Sequence, residues 1–207
     1  TGSDVNVVYT VRPVSADGCI GDAKTVTLTV QSEPDLNVAD KSICSDEPTG
    51  ITLTDVEGIA TTFNITVLNQ NGLPASAGAP ATGNGLAANV ISNDAFTNLT
   101  GADVDVEYTI VPVSADGCEG DAEVVKVTIH PEPDLNVSDK TICSDEATAI
   151  TLTDVDGIAA TFNITNIDDN GLIASAGLPA TGTGFAANVI ANDAWTNTTG
   201  AAVDVVY

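Results

Sequence analysis

The sequence predicts an all-β protein built of tandem β-sandwich domains. The chain repeats itself at a constant offset: Tyr9, Tyr108 and Tyr207 are spaced by 99 residues, as are Cys19 and Cys118. A self-match at fixed spacing marks one structural unit, and about 100 residues is the size of a sandwich domain, whereas solenoid and propeller repeats are shorter. The composition agrees, because Val, Ile and Thr alternate with Gly-, Asn- and Asp-rich stretches while Lys and Glu are scarce.

The repeat divides the chain into three pieces. Residues 1–33 correspond to the C-terminal hairpin of one repeat, 34–132 to a complete repeat of about seven strands, and 133–207 to a repeat without its last hairpin. The prolines of 32–34 and 131–133 mark linkers, because proline cannot join a β-ladder and stiffens a junction. We expect either that the parent chain continues at both ends or that residues 1–33 of another copy complete 133–207 by strand donation.

Two strands and a turn are predicted in the first piece. Residues 5–11 and 25–30 alternate between apolar and polar side chains, which is typical of strands buried on one face. Asp17-Gly18 between them is a two-residue hairpin signal. The equivalent positions 125–129 keep the inward apolar phase while the outer face changes, as burial of one face requires.

The complete repeat carries the turn and strand signals of a sandwich. Asn71-Gly72 is a hairpin signal, and Phe96 (Trp195 in the next copy) is an apolar anchor in a loop over 93–101. No helix is required, although one turn is allowed at Ala87–Ile91. The predicted strands are Asp35–Cys44, with a break allowed near Asp40, Ile51–Val56, Thr62–Leu68, Leu86–Ile91, Asp103–Val113 and Asp121–His130, with irregular or edge structure over Leu73–Gly85.

The charge excludes several classes of partner. The chain has 29 acidic and only 5 basic residues, a net charge of −24. Nucleic-acid binding needs Lys and Arg to neutralise phosphate, and attachment to anionic lipid needs them as well. No run of 18 apolar residues is present, so no membrane insertion is expected in this segment, and export is expected to be specified elsewhere because no signal peptide is seen. Self-repulsion is expected to keep the chain soluble and, in a long array, extended.

Cysteine usage indicates an oxidising, extracellular setting. Four cysteines at fixed positions of the repeat favour disulfides over reduced thiols. Pairing of Cys44 with Cys118 inside one repeat is the first choice, although in standard sandwich order these turns could be about 33 Å apart, farther than a disulfide spans. Local pairing of Cys19 with Cys44 ranks second, followed closely by other pairing between repeats, and Cys19 and Cys143 have their partners either locally or outside the segment.

No catalytic site is predicted, and the chain is not expected to be an enzyme. His130 is the only histidine and lies on the outer face of the last strand, whereas a nucleophilic triad needs a positioned base. The cysteines are 25 or 74 residues apart, unlike clustered zinc ligands. Neither a phosphate loop nor a dinucleotide fingerprint occurs.

Carboxylates are the one candidate metal-binding set, and calcium is the one cofactor considered. Calcium requires hard oxygen ligands that converge in loops, but no EF-hand pattern is present, and a solvated acidic face explains the same residues. A carbohydrate site would need exposed aromatic residues, for which only Phe96 and Trp195 are candidates. The calcium candidates are Asp55, Glu57, Asp94, Asp103, Asp105, Asp154 and Asp156.

Several short sequence motifs of the repeat match a known family. They are the strand Tyr108–Ile110, the turn Gly117-Cys118, the linker Pro131–Pro133 and the tripeptide Ile142–Ser144. Together they resemble the PKD-like, immunoglobulin-like repeats of giant surface proteins in Bacteroidota, including gliding-motility adhesins exported by the type 9 secretion system. The chain departs from them in lacking a Trp in the third strand, since its only Trp, Trp195, falls in a later loop.

The resemblance implies a stalk or filament segment of a repetitive adhesin at the extracellular cell surface. The expected partners are neighbouring repeats, other copies in a filament, and a surface or glycan target. Two alternatives stay open: a calcium- or carbohydrate-binding extracellular module, and a subunit of a head-to-tail filament completed by strand exchange.

Overall fold

The structure is a computed structural model that describes residues 2–207; Thr1, the first residue of the predicted hairpin piece, lies outside the described residues. Within them the chain forms thirteen strands and no helix. It divides into two compact units, Thr1–Pro131 and Glu132–Tyr207. The predicted all-β class is confirmed, and the predicted hairpin piece belongs to the first unit together with the complete repeat.

The first unit opens with the hairpin of β1 (Val5–Val11) and β2 (Lys24–Val30), which are antiparallel. The regular ladder ends at the Val11–Lys24 pair, and a further bridge joins Val14 to Ile20. The turn at Asp17-Gly18 is therefore observed, but it is not a two-residue connection between the two strands. The chain between them is longer and closes through a turn in which the Gly18 N–H donates to the Ser15 carbonyl. Gly18 has a φ of 83°, a conformation that glycine adopts without strain.

A five-stranded sheet forms the centre of the first unit, in the order β3–β9–β8–β4–β6. The predicted last hairpin is observed as β8 and β9, which pair antiparallel, whereas β3 joins the sheet by parallel pairing with β9. With β5 and β7 the complete repeat has seven strands, the expected number, although two of them were not among the predicted strands. Their bounds are β3 Lys41–Cys44, β4 Ala60–Asn69, β5 Ala75–Ala77, β6 Gly83–Leu86, β7 Ala95–Phe96, β8 Val104–Ser114 and β9 Glu123–His130.

Two predicted strands are wrong. Ile51–Val56 alternates as expected, but its backbone bonds go to separate partners, with the Leu53 N–H donating to Ala88 and the Val56 N–H to Asp35. No continuous ladder results, and only Asp55 forms an isolated bridge. Of the second predicted strand, Leu86–Ile91, only Leu86 lies in a strand, as the last residue of β6. The rest forms tight turns, in one of which the Val90 N–H donates to the Ala87 carbonyl.

The turn at Asn71-Gly72 is observed as predicted. Both residues have positive φ, 48° and 87°, as a type I′ turn requires. The equivalent Asn170-Gly171 adopts the same conformation, with φ of 47° and 82°.

The core of the complete repeat lies between the large sheet and the segments opposite it. Alternate residues of β8 and β9 face inward, and their side chains are almost completely buried. Packing of this kind is the main source of stability of a sandwich. The buried cluster comprises Leu36, Ile43, Ile51, Leu53, Phe63, Ile65, Leu73, Ile91, Phe96, Val106, Tyr108, Ile110, Val125, Val127 and Ile129.

The second unit repeats the first half of this architecture. Its strands are β10 (Phe162–Ile164), β11 (Ile173–Ala176), β12 (Gly182–Phe185) and β13 (Ala194–Thr196), which form two two-stranded sheets. The equivalent of β3, residues 140–143, is not a strand. The reason is that β3 depends on pairing with β9, and the second unit has no equivalent of β9 with which to pair.

Candidate functional site

The hairpin β1–β2 exposes residues that the complete repeat buries. Tyr9 is 53% exposed, whereas its equivalent Tyr108 is fully buried. Leu28 is likewise 53% exposed, and its equivalent Val127 is fully buried. The same holds for the rest of the face except Val5, whose equivalent Val104 is partly buried. We call this face the hairpin face: Val5, Val7, Tyr9, Val11, Val26, Leu28 and Val30. A contiguous apolar face of this kind is typical of an interaction surface.

The second unit has the complementary deficiency. Its buried cluster consists of Leu152, Ile164 and Ile190, far fewer residues than in the complete repeat. Its equivalent of β8 is limited to 203–207, in which Val206 forms one isolated bridge. Within residues 132–207 no strand takes the place of β9, and only 203–207 correspond to β8; in the complete repeat these two strands cover the core and are the ones that the hairpin resembles in sequence.

A buried tyrosine–aspartate pair fastens β8 to the loop before β7. The Tyr108 hydroxyl donates to Asp94 Oδ2 at 2.8 Å, and both side chains are buried. Desolvation raises the pKa of the Asp94 carboxyl, although the bonds from Tyr108 and the Ala79 backbone oppose the shift. Burial, together with the bond to Asp94, also raises the pKa of the Tyr108 hydroxyl. The pair fixes the position of β8 in the sandwich.

The same pair recurs, less buried, in the second unit. Tyr207 Oη donates to Asp193 Oδ2 at 2.8 Å and accepts from Trp195 Nε1 at 3.2 Å. Burial and the bond to Asp193 raise the pKa of Tyr207 to about 12. Tyr207 is nevertheless 37% exposed, because the strands that cover Tyr108 have no counterpart here. Tyr9, the third equivalent, carries the same side chain in the hairpin face.

Asn98 is a second polar contact that the sequence pattern did not single out as structural. Its buried amide Nδ2 donates to the Ile129 carbonyl at 2.7 Å and to the Ala102 carbonyl at 2.8 Å, which ties the loop to β9. The amide Nδ2 of Asn197 retains the equivalent bond within its own loop, at the Ala201 carbonyl, but has no bond equivalent to that with Ile129 among the described residues. The recurrence of asparagine at these positions of the repeat was the available signal.

Residues 2–207 contain four free cysteines. Cys44 ends β3 in register with His130, the last residue of β9, whereas Cys118 lies in the turn before β9 begins. Since β9 has 8 residues, it spans about 26 Å at ~3.3 Å per residue. Disulfides join Cα atoms roughly 4.4–6.8 Å apart. The structure therefore does not bring the first-choice pair together.

The other two cysteines also lie apart from Cys44. Cys19 is in the turn that precedes β2, at the end of the hairpin away from Gln31, and is exposed. Cys143 is exposed in the second unit. In the first unit as described, β2 pairs only with β1, and Cys44 belongs to a different sheet. No strand pairing therefore brings Cys19 close to Cys44.

The open end of the hairpin meets the turn that holds Cys118. The Cys118 thiol donates to Gln31 Oε1 at 3.3 Å. A Cβ at Gly120 would clash with the carbonyl oxygen of Pro34 in the linker. Gly21, the equivalent position in the hairpin, has only Pro13 nearby. Close approach of the linker therefore requires glycine at position 120.

Two of the predicted calcium ligands, Asp55 and Asp154, cap the turns in which they lie, and a third lies in one of these turns. Asp55 Oδ2 accepts a bond from the Ile59 N–H at 2.8 Å, and Asp154 Oδ2 accepts one from the Ile158 N–H at 2.8 Å. Asp156 lies in the turn of Asp154. These carboxylates satisfy backbone donors that would otherwise depend on water.

Two further candidates lie at the start of β8. Asp103 Oδ1 is 2.8 Å from His130 Nδ1, and Asp105 Oδ1 accepts a bond from the Thr128 hydroxyl at 2.6 Å. That bond is the main reason that the pKa of Asp105 is lowered, and Lys126, whose Nζ is 3.4 Å from Asp105 Oδ2, adds to it. Among residues 2–207 no group of three or more His, Cys, Asp or Glu is arranged to hold a metal ion.

Carboxylates also crowd the linker end of the complete repeat. Glu57, another predicted ligand, accepts a bond from the Asp35 N–H at 3.0 Å. Partial desolvation, the side-chain bond to Asp35 and the charges of Asp35 and Asp121 together raise the pKa of Glu123. The sequence pattern did not reveal this group, because its members are far apart in the chain and meet only in the fold.

The aromatic candidates for a carbohydrate site are core residues. Phe96 is fully buried, and Trp195 is almost so. His130, the only histidine of the sequence, has its Nδ1 2.8 Å from Asp103 Oδ1. Within residues 2–207 no helix is long and apolar enough to cross a membrane.

Comparison with known proteins agrees with this architecture. A family model described as a PKD-like domain matches residues 1–34 and 41–133, which together exceed half of the chain. Both matched stretches end at a linker that follows the last hairpin of a repeat. No curated protein matches the chain. The chain belongs to the family of PKD-like domains.

Proposed function

We propose that this chain is a segment of an extracellular array of PKD-like repeats that serves as a stalk or surface fibre in cell adhesion. Membership of the family suggests an extracellular module with a structural or adhesive role. The sequence motifs of its repeat resemble those of gliding-motility adhesins of Bacteroidota. This resemblance supports the more specific assignment to a surface adhesin that is exported by the type 9 secretion system. The neighbours of each repeat in the array are its principal partners.

The observation that carries the proposal is the dependence of each sandwich on its last hairpin. Strands β8 and β9 supply the residues that close the core of the complete repeat. A repeat therefore forms a complete sandwich domain only when this hairpin is present. The 11 residues of β8 correspond to about 36 Å of length per repeat at ~3.3 Å per residue.

The charge of the chain suits such an array. Its net charge is −24, and like charges repel along and between chains. The repulsion opposes lateral collapse and keeps an array extended. Proline in the linkers restricts bending between beads.

Antibody labelling of intact source cells tests the proposal. Antibodies raised against residues 34–131 should label cells that have not been permeabilised, and brief treatment of the cells with a protease should remove the signal. Labelling that appears only after permeabilisation would contradict the extracellular assignment. Loss of surface attachment in cells that lack the parent protein would support the adhesive role, and unchanged attachment would count against it.

The exposed hairpin face favours a second candidate, a head-to-tail filament completed by strand exchange. In it, β1 and β2 of the following copy enter the second unit of the first copy and form the equivalents of β8 and β9. Residues 203–207, held by the bridge of Val206 to Asp168 and by the bond of Tyr207 to Asp193, would be displaced by β1. Tyr9 of β1 would replace Tyr207 as the donor to Asp193, which offsets the loss of that bond. Addition of strands to an incomplete sheet is a known mode of association.

Light scattering on the reduced chain tests this second candidate. The molar mass should rise with protein concentration, and Leu28→Asp should abolish the rise because it places a charge in the hairpin face. Thr27→Asp is the matched control, since Thr27 is the adjacent residue on the opposite face of β2. A constant monomer mass, or equal effects of the two substitutions, would refute strand exchange.

A further inference from the structure

The register between β3 and β9 predicts that, in an array, a cysteine of the preceding repeat lies beside Gln31. In the complete repeat Cys44 pairs with His130. Gln31 is the residue of the preceding repeat that corresponds to His130, 99 positions earlier. In that preceding repeat the cysteine equivalent to Cys44 therefore lies on the strand next to Gln31. Paired residues of neighbouring strands are about 4.8 Å apart and point to the same face of the sheet.

Gln31 is also the residue that the Cys118 thiol contacts, at 3.3 Å from its Oε1. Two cysteines of successive repeats thus converge on one glutamine. We use two names for them: the strand-end cysteines are Cys44 and Cys143, and the turn cysteines are Cys19 and Cys118. Their convergence on one side chain places both thiols at the same junction between repeats, and a disulfide requires such proximity.

We propose that the strand-end cysteine of each repeat forms a disulfide with the turn cysteine of the repeat that follows it. The bond staples neighbouring beads together across the linker. None of the four cysteines has this partner within one copy of the chain, which accords with their free state in residues 2–207. The inference rests on the proposed array, and its test with this chain rests on completion of one copy by another.

Two copies joined head to tail supply the missing partners. The hairpin of the following copy brings its Cys19 to the position of the turn cysteine in the completed second unit, beside Cys44 of the first copy. The next repeat of the following copy brings its Cys118 beside Cys143 of the first copy. The expected bonds are therefore Cys44–Cys19 and Cys143–Cys118, both between chains.

The chemistry requires an oxidant, and a small-molecule disulfide such as oxidised glutathione suffices. One thiolate attacks the glutathione disulfide and releases one glutathione thiol, which gives a mixed disulfide. The second thiolate attacks the mixed disulfide and releases the other glutathione thiol. The two protein thiols lose two electrons and two protons, and glutathione disulfide is reduced to two thiols.

Double serine substitutions distinguish this pairing from the others. Cys118→Ser with Cys143→Ser leaves Cys19 and Cys44, and after incubation with oxidised glutathione we expect a ladder of linked chains on a non-reducing gel. Cys19→Ser with Cys44→Ser leaves the other pair, and we expect a ladder as well. Cys19→Ser with Cys143→Ser is the matched control: it leaves Cys44 and Cys118, for which we expect neither a ladder nor an internal bond.

Mass mapping of the linked peptides in the unsubstituted chain should give only the two expected bonds. An internal Cys44–Cys118 bond, a Cys19–Cys44 bond in a chain that stays monomeric, or four free thiols would each overturn the proposal. Light scattering on the chain with all four cysteines changed to serine separates the two ideas. If that chain assembles but the others form no ladder, the disulfide proposal fails and strand exchange survives; if no variant assembles and no ladder forms, strand exchange and the disulfide proposal both fail.

Discussion

Substitution of the three equivalent tyrosines by phenylalanine measures how far the last hairpin is buried. Tyr108→Phe removes the donor to Asp94 and leaves the ring in place. A hydrogen bond to a charged, buried group contributes about 1.5–3 kcal/mol, so we expect the free energy of unfolding of the complete repeat to fall by about 2 kcal/mol. The loss should shrink on acidification, because burial already raises the pKa of Asp94 and a protonated carboxyl needs the donor less.

The two equivalents are matched controls for the same chemical change. Tyr9 is exposed in the hairpin face, so Tyr9→Phe should change stability by no more than about 0.5 kcal/mol in dilute solution. Tyr207 is partly exposed, and water can replace its hydroxyl, so Tyr207→Phe should have an intermediate effect on the second unit. In an assembled filament Tyr9 would take the place of Tyr207 against Asp193, and Tyr9→Phe should then weaken assembly.

Urea unfolding under reducing conditions, followed by far-UV circular dichroism, is the assay. Trp195 is the only tryptophan, so its fluorescence reports separately on the second unit. Tyr108→Phe should shift the transition of the complete repeat, leave the Trp195 transition in place and keep the urea slope unchanged. Equal effects of Tyr9→Phe and Tyr108→Phe in dilute solution, or no effect of Tyr108→Phe, would refute the reasoning.

Three further predictions concern charge and the linker. The pKa of Glu123 is raised in the folded state, so folding is favoured as pH falls through the window between its unfolded and folded pKa values and is weakened as pH rises through it. The midpoint of thermal unfolding should therefore rise on mild acidification, and less so in Glu123→Gln; equal rises in the two proteins would contradict this origin. Calcium chloride should raise the midpoint no more than magnesium chloride at equal concentration, because the candidate carboxylates are dispersed and the salts act by screening; a rise specific to calcium would indicate a site. Gly120→Ala should cost about 1–3 kcal/mol by overpacking against the linker and should speed alkylation of the Cys118 thiol, measured by mass spectrometry. Gly21→Ala shares only the proline contact and is the control, and equal effects of both would exclude a role for the linker.

The repeat and its last hairpin could be predicted from the sequence because both depend on local pattern. The alternation of apolar residues places β8 and β9, and Asn71-Gly72 specifies its turn through backbone conformation alone. The alternation of Ile51–Val56 misled the prediction, because a buried segment can alternate while its backbone bonds go to scattered partners. Periodicity reports which side of a segment is buried and not which segment it pairs with.

The candidate sites depended on contacts between distant residues, which a single sequence does not reveal. The parallel pairing of β3 with β9 decides where Cys44 lies, and no local signal specifies it. Asp94 was singled out as a calcium ligand, whereas its partner is the Tyr108 hydroxyl. The repeat held a usable signal, because the tyrosine recurs with its aspartate fourteen residues before it at Asp94 and again at Asp193.

The decisive measurement is the urea midpoint of Trp195 fluorescence as a function of protein concentration, in the reduced chain. If the hairpin of another copy completes the second unit, association stabilises that unit by mass action, and the midpoint should rise with concentration. Leu28→Asp should remove the rise and Thr27→Asp should retain it. A midpoint that is independent of concentration, and the same in both variants, would contradict completion of one copy by another.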